Sequence, residues 1–330
     1  MVERTLAGIF LLFLVACHGA EPVEAPQGTQ AAPPPRAPGH RKAKLVEITF
    51  AIYTEKEGDV AAPLVEPHGL TGRVASSCAL SPCSAVRELL ATPDSLSVTM
   101  ALTHDLPPPA FCFPAGGAGE ADRTRLEKMP RVVMLVVRGE PGPPFVTLAA
   151  AHEVARTLGH ELSGLVFDPD TLKLWRADDV PIVAPLAPPG ADEQLSFGVL
   201  PVDDAYRIAT FGGRRVGVPD LVAEGVPRER VGVAMAALSA VIRRMAMSGV
   251  PEGAFSISAS DLAAAAPGTV ALPAAAPGAR GTADVELGLA ARRDSDPDNE
   301  LMTLTAPGIP APSDVWTKIA TDLVGASAPS

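Results

Sequence analysis

The sequence predicts an α+β protein of two mixed α/β lobes with mostly antiparallel sheets, preceded by a disordered tether. Short alternating or β-branched runs indicate strands, and longer segments with apolar residues at helical spacing indicate helices. The two kinds of segment mix without the regular spacing of βαβ units, which favours α+β over α/β. We place the lobes at residues 45–190 and 191–330.

Composition is typical of a folded chain with long loops. Hydrophobic residues make up 47% and charged residues 20% of the 330 residues, so a core can form without disulfides or metals. The 35 prolines and 29 glycines indicate long loops and an unstructured stretch. The net charge of -11 argues against nucleic acid as a partner, because that surface needs a basic field.

The N-terminus has the features of a signal peptide at residues 1–16. Arg4 precedes an apolar run of ten residues, Leu6 to Val15. A membrane-spanning helix needs roughly 20 such residues, so the run is too short to be an anchor. The last two residues of the run begin the pattern Leu14-Val15-Ala16-Cys17.

This four-residue pattern resembles the lipobox of bacterial lipoproteins. The resemblance implies cleavage before Cys17, lipidation of its thiol with diacylglyceryl and acyl chains such as palmitate, and a lipid-anchored place in the cell envelope. His18, where an Asp would favour retention in the inner membrane, implies export to the outer membrane. The alternatives are an ordinary signal peptide or a short hydrophobic N-terminus that contains a cysteine.

Residues 17–44 are predicted to form a disordered, Pro-rich tether. The segment includes Pro33-Pro34-Pro35 and has almost no large apolar residue, so it cannot offset the entropy of ordering. At ~3.1 Å per residue, its twenty-odd residues reach roughly 70 Å from the membrane.

The first lobe is predicted to begin with a strand and to contain two helices. A helix is expected at Pro82 to Leu90, with Ser81 as its cap, and a longer one at Phe145 to Leu162. The turn residues Asp168-Pro169-Asp170-Thr171 predict a hairpin. The predicted strands are Leu45–Tyr53, Leu96–Leu102, Arg131–Arg138, Gly164–Asp168 and Thr171–Trp175.

The second lobe follows a Pro-rich loop at Pro181 to Pro189. Its clearest element is a helix that starts at Pro227 and ends at Gly249, with one continuous apolar stripe. A closing helix is expected at Ser313 to Leu323. The predicted strands are Tyr206–Phe211, before a Gly212-Gly213 turn, Phe255–Ser258, Asp284–Ala290 and Leu301–Thr305.

Four titratable residues on the helix at 145–162 invite comparison with zinc metalloproteases. His152, Glu153, His160 and Glu161 resemble that pattern, but Arg156 stands where the second histidine ligand is needed. His152 and His160 are eight positions apart, about 12 Å of helix rise, too far to share one ion. The expectation is two ordinary histidines on a semi-buried helix.

An acidic segment at Asp294 to Glu300 alternates carboxylates as a calcium loop does. It lacks the glycine of the sharp turn, and Thr305 stands where a bidentate glutamate is needed. A solvated acidic turn is therefore expected, with weak calcium binding as the alternative. We predict no metal, cofactor or catalytic residue for the chain.

Three cysteines remain after Cys17, so one disulfide and one free thiol are expected in an oxidising compartment. Cys78 and Cys83 are close in sequence and are the favoured pair. The other pairings, with Cys112, stay open.

Two segments, 164–175 and 207–221, resemble recurring patterns in uncharacterised bacterial domains of unknown function, and the resemblance supplies no activity. We therefore expect a non-catalytic lipoprotein that binds an envelope protein or a small ligand. The alternative is an envelope hydrolase with a site near His152, Glu153, His160 and Glu161. A third hypothesis is a structural spacer.

Overall fold

The computed structural model describes residues 45–57, 66–77, 83–185, 194–265, 284–292 and 301–325. All of them lie in one compact unit, Ala43–Ser330. The fold is α+β with two six-stranded, mostly antiparallel sheets, as the sequence predicts. The expected signal peptide, lipidation site and tether at residues 1–44 lie outside the described residues.

The first sheet is built around the first strand of the body. β1 pairs antiparallel with β4 along its whole length, and Phe50 lies opposite Leu135. The sheet order is β2-β4-β1-β5-β6-β3, and the β3–β6 pair is parallel. The strands are β1 Val46–Thr54, β2 Leu96–Leu102, β3 Phe113–Pro114, β4 Arg131–Gly139, β5 Leu165–Asp168 and β6 Lys173–Arg176.

Among the described residues, four helices accompany this sheet, and the longest packs across it. They are α1 Pro67–Ser77, α2 Ser84–Ala91, α3 Glu120–Leu126 and α4 Val146–Leu162. Helix α4 lies against β1 and β4 and buries almost its whole first half. It ends at Ser163, which takes a left-handed conformation and donates its N–H to the Gly159 carbonyl.

Helix α2 begins later than the sequence predicts. Cys83 stands at its N-cap position, so the expected cap, Ser81, is wrong. Helices α1 and α3 were not predicted. The two glycines of α1 and the short length of α3 leave neither with a clear apolar stripe.

The second sheet follows the order β10-β11-β12-β9-β8-β7, and the β9–β12 pair is parallel. Its strands are β7 Ser196–Val202, β8 Ala205–Phe211, β9 Asp220–Val226, β10 Phe255–Ile257, β11 Val285–Ala291 and β12 Leu301–Thr305. Strands β7 and β9 were not predicted, because Pro201 and Gly225 are unfavourable inside strands. Gly225 has φ +60, close to an irregularity in the β8–β9 register.

Helix α5 Val231–Ser248 covers β8 and β9, and α6 Ala259–Ala265 and α7 Pro312–Ile319 complete the second half. The helix expected from Pro227 begins as a 3₁₀ turn, Arg228–Arg230. By length and composition, Arg228–Ser248 passes as a membrane span, but 61% of its most apolar window is buried within the protein. The apolar side chains of this helix therefore pack mainly in the protein core.

The two sheets share one hydrophobic core. The first sheet ends with β6 at Arg176, and the second begins with β7 at Ser196. A single cluster of buried side chains nevertheless includes Phe50 and Leu148 from the first half and Leu221 and Leu238 from the second. The halves are thus packed together through a common core.

Candidate functional site

Four charged residues form a cluster where the two halves meet, here called the central ion-pair cluster. Asp168 and Asp170 lie at the β5–β6 turn, and Arg214 and Arg215 lie in the 3₁₀ turn Gly213–Val216. Arg215 donates to Asp168, and both side chains are wholly buried. Arg214 Nε donates to Asp170 Oδ1 over 2.7 Å. Each sheet therefore contributes one sign of charge.

Asp168 also organises the turn that carries it. Its Oδ1 accepts the backbone N–H of Asp170 at 2.9 Å and of Thr171 at 3.3 Å, and its Oδ2 accepts the Thr171 hydroxyl at 2.7 Å. This is the side-chain turn geometry that aspartate favours. The same carboxylate thus closes the predicted hairpin and holds Arg215.

His152 is buried against the central ion-pair cluster. Its Nε2 lies 3.0 Å from Nη2 of Arg215, and its ring packs edge-on against Phe50. Because a guanidinium can only donate, Nε2 accepts and the ring is neutral. Burial, reinforced by the Arg215 charge, holds the pKa of His152 well below its usual value.

Two further groups lie beside this histidine. Gln194 and the Pro181 carbonyl lie close enough to His152 to favour its protonated form, which partly offsets the lowering of its pKa. Neither reaches good hydrogen-bond geometry: Nδ1 of His152 and both amide atoms of Gln194 have no partner among the described residues. His152 is therefore held by packing and by Arg215.

Asp220 supports the turn that carries the two arginines. Its Oδ1 accepts the Thr210 hydroxyl and the Gly213 N–H, each over 2.9 Å. Burial raises the pKa of Asp220 to about 6, even though these hydrogen bonds favour the charged form. Burial also raises the pKa of Asp170, while the charge of Arg214 opposes that rise.

The central ion-pair cluster is a structural junction. The Asp168–Arg215 pair is wholly buried and internally compensated, and breaking such a pair leaves an unpaired charge in the interior. Its role is to attach the β5–β6 turn to the β8–β9 connection.

An open groove of about 510 Å³ lies between α1 and α4, here called the α1–α4 groove. Gly69, Gly72, Arg73 and Ser76 line it from α1. Their spacing of three or four positions places them on one helix face. Arg156, Thr157, His160 and Glu161 line it from α4.

Carboxylates pair with the basic side chains of this groove. Arg73 Nε donates to Oε1 of Glu161 over 2.7 Å. Arg156 pairs with Glu153, which is almost fully buried. His160 Nε2 lies 2.8 Å from Oδ1 of Asp178, both of them exposed.

The four residues of the hydrolase hypothesis are not brought into one site. His152 contacts Arg215, Glu153 pairs with Arg156, His160 with Asp178 and Glu161 with Arg73. Only His160 and Glu161 line the α1–α4 groove. Within the described ranges, no group of three or more His, Cys, Asp or Glu residues could hold a metal.

The described cysteines differ in state. Cys83 forms a disulfide, and Cys112 is a free, buried thiol whose pKa is raised by burial. Cys78 lies outside the described residues, so its pairing with Cys83 stays a prediction. Cys17 and the acidic segment at residues 294–300 lie outside them as well.

No protein-family model, curated protein or solved structure matches this chain. The central ion-pair cluster and the α1–α4 groove are therefore interpreted from their geometry alone.

The sequence predicts the turn that carries Asp168 and Asp170 but not the central ion-pair cluster. Segments 164–175 and 207–221, singled out by pattern, contribute Asp168, Asp170, Arg214 and Arg215 and contact each other. The arginines were not predicted as buried residues, because adjacent arginines after two glycines are typical of a solvated loop. The groove was missed because helix α1 was missed.

Proposed function

We propose that the chain is a cell-envelope lipoprotein, anchored through acyl chains on Cys17, whose α+β body is a non-catalytic module that binds an envelope protein or a small ligand. The observation that carries this proposal is the pattern Leu14-Val15-Ala16-Cys17 at the end of a ten-residue apolar run. Outer-membrane placement, from His18, belongs to the same proposal.

Two features of the body support binding over catalysis. The titratable residues of the hydrolase hypothesis have four different partners, so no nucleophile, base and orienting group converge. The α1–α4 groove, in contrast, has the volume of a small-molecule site. The compact unit begins at Ala43, 26 positions after Cys17 (43 minus 17), which leaves length for a stalk.

Replacement of the acylated thiol tests the anchor. In cells labelled with palmitate, Cys17→Ser should abolish the label, because a hydroxyl does not accept the diacylglyceryl group. The protein should then leave the membrane fraction or persist as an uncleaved precursor.

Cys112→Ser is the matched control, since Cys112 is a free thiol in the folded body. It should keep both the label and the membrane fraction. Unchanged labelling and fractionation of Cys17→Ser would show that the chain is not a lipoprotein of this kind.

A further inference from the structure

We propose that the α1–α4 groove binds a small ligand that carries a phosphate group. The inference deepens the proposed binding role and rests on it.

Positive charge is concentrated in the lining. Arg73 and Arg156 supply two guanidinium groups against the single carboxylate of Glu161, while the whole chain carries a net charge of -11. Their side chains remain 32% and 18% exposed, so a ligand can reach them. The lining itself therefore has an excess of guanidinium over carboxylate, with the Glu153 carboxylate paired to Arg156 from behind.

The polar groups of the lining are mostly donors. The two guanidinium groups can only donate and Glu161 can only accept, while the Ser76 hydroxyl already donates to the Gly72 carbonyl over 3.0 Å. Guanidinium groups match the planar, paired oxygens of carboxylate and phosphate. A ligand rich in acceptor oxygens fits this lining best.

The two arginines are also held in position. Glu161 fixes Arg73, and the buried carboxylate of Glu153 fixes Arg156 from behind. Such support lowers the entropy lost when a ligand orders a long side chain. The groove thus resembles a prepared site more than a chance surface depression.

Gly72 lines the groove, and neither its backbone conformation nor its packing requires a glycine there. Its backbone is not left-handed, and a Cβ added there would meet no atom within 4 Å. Glycine inside a helix is unfavourable relative to alanine, so the fold alone does not explain it. A ligand that enters between α1 and α4 explains the glycine at this position.

Calorimetric titration of the full-length protein in detergent, with inorganic phosphate as the probe, tests the proposal. We expect saturable one-to-one binding that weakens as salt rises. Arg73→Gln and Arg156→Gln should each weaken it about tenfold, the loss expected for a hydrogen bond to a charged group. Gly72→Leu should abolish it by filling the groove while keeping both arginines.

Arg138→Gln is the matched control. Arg138 forms a similar 2.7 Å ion pair, with Glu47, is 36% exposed and does not line the groove. It should leave the affinity unchanged, and circular dichroism should show that all four variants fold. Absence of saturable phosphate binding, or equal weakening by Arg138→Gln, would overturn the proposal.

A second probe, glycerophosphoglycerol, distinguishes the sources of the phosphate group. Tighter binding of this headgroup than of phosphate indicates a lipid ligand, and the reverse order indicates a free phosphate or monoester; both support the site. The Cys17→Ser fractionation does not depend on the groove. Failure of the anchor and failure of the ligand site are therefore distinguishable.

Discussion

Arg215 is a charged residue with no exposed side-chain area. Its guanidinium donates to Asp168, faces Nε2 of His152 and lies 5.4 Å from the centre of the Phe50 ring. These contacts combine an ion pair, a neutral acceptor and a cation–π interaction in the interior. The neutral state of His152 follows from this arrangement.

Asp220 is expected to make folding stability depend on pH. Burial favours its protonated carboxyl, so the folded state, with a pKa of about 6, binds the proton more tightly than the unfolded chain, with a pKa near 3.8. The stabilisation from this proton is complete below the unfolded pKa and is lost as pH rises through about 6. It should be about 2 kcal/mol larger at about pH 4.5 than at about pH 7.5.

The Asp220→Asn variant isolates this effect, because its side chain does not titrate. Urea denaturation at about pH 4.5 and about pH 7.5 gives the unfolding free energies of wild type and variant. Relative to the variant, wild type should be about 2 kcal/mol more stable at the lower pH than at the higher. Effects of groups that do not act on Asp220, including the buried His152, cancel in the comparison. A pH-independent difference would mean that Asp220 titrates alike in both states.

At the scale of elements, the turn after β8 decides how the arginines are presented. Gly212 has φ +115, and a Cβ there would lie 2.4 Å from the Gln194 carbonyl oxygen. Glycine is required at this position by conformation and by close approach. The turn then directs Arg214 and Arg215 at the β5–β6 hairpin.

Gly212→Ala should therefore be strongly destabilising. We expect a loss of about 2 kcal/mol or more in the free energy of unfolding, from the strained φ and the steric clash, measured by chemical denaturation.

Gly253→Ala provides the comparison, since a Cβ there meets no atom within 4 Å. It should change stability little. Equal effects of the two substitutions would contradict the assigned role of the turn.

At the scale of the whole molecule, the common core and the central ion-pair cluster join the two sheets. The chain has two tryptophans, and each half contains one: Trp175 on β6 and Trp316 on α7, both almost fully buried. Trp316 also donates to the Glu224 carbonyl over 2.8 Å. Each indole can therefore report on its own half.

We expect the two halves to unfold in one cooperative transition. In Trp316→Phe, fluorescence follows the first half, and in Trp175→Phe it follows the second. Within each variant, the fluorescence midpoint in urea should coincide with that of far-UV circular dichroism, which follows both halves. Separate midpoints in either variant would show that the lobes unfold independently.

The α+β class, the long helices α4 and α5 and the hairpin at Asp168 could be predicted because their signals are local. Apolar periodicity and turn chemistry act over a few residues. Strand β9 and helix α1 were missed because Gly225, Gly69 and Gly72 weaken those local signals. Packing against distant segments stabilises β9 and α1 despite these glycines.

Local sequence is enough to specify the elements with strong periodicity, the acidic character and the lipobox resemblance at Cys17, since each depends on composition or on neighbouring residues. Tertiary structure decided which charges are buried and which helix faces leave a groove. Asp168 and Arg215 are 47 positions apart, and Arg73 and Glu161 are 88 apart. Such pairs form only when packing of the sheets and helices brings distant segments together, so no local pattern specifies them.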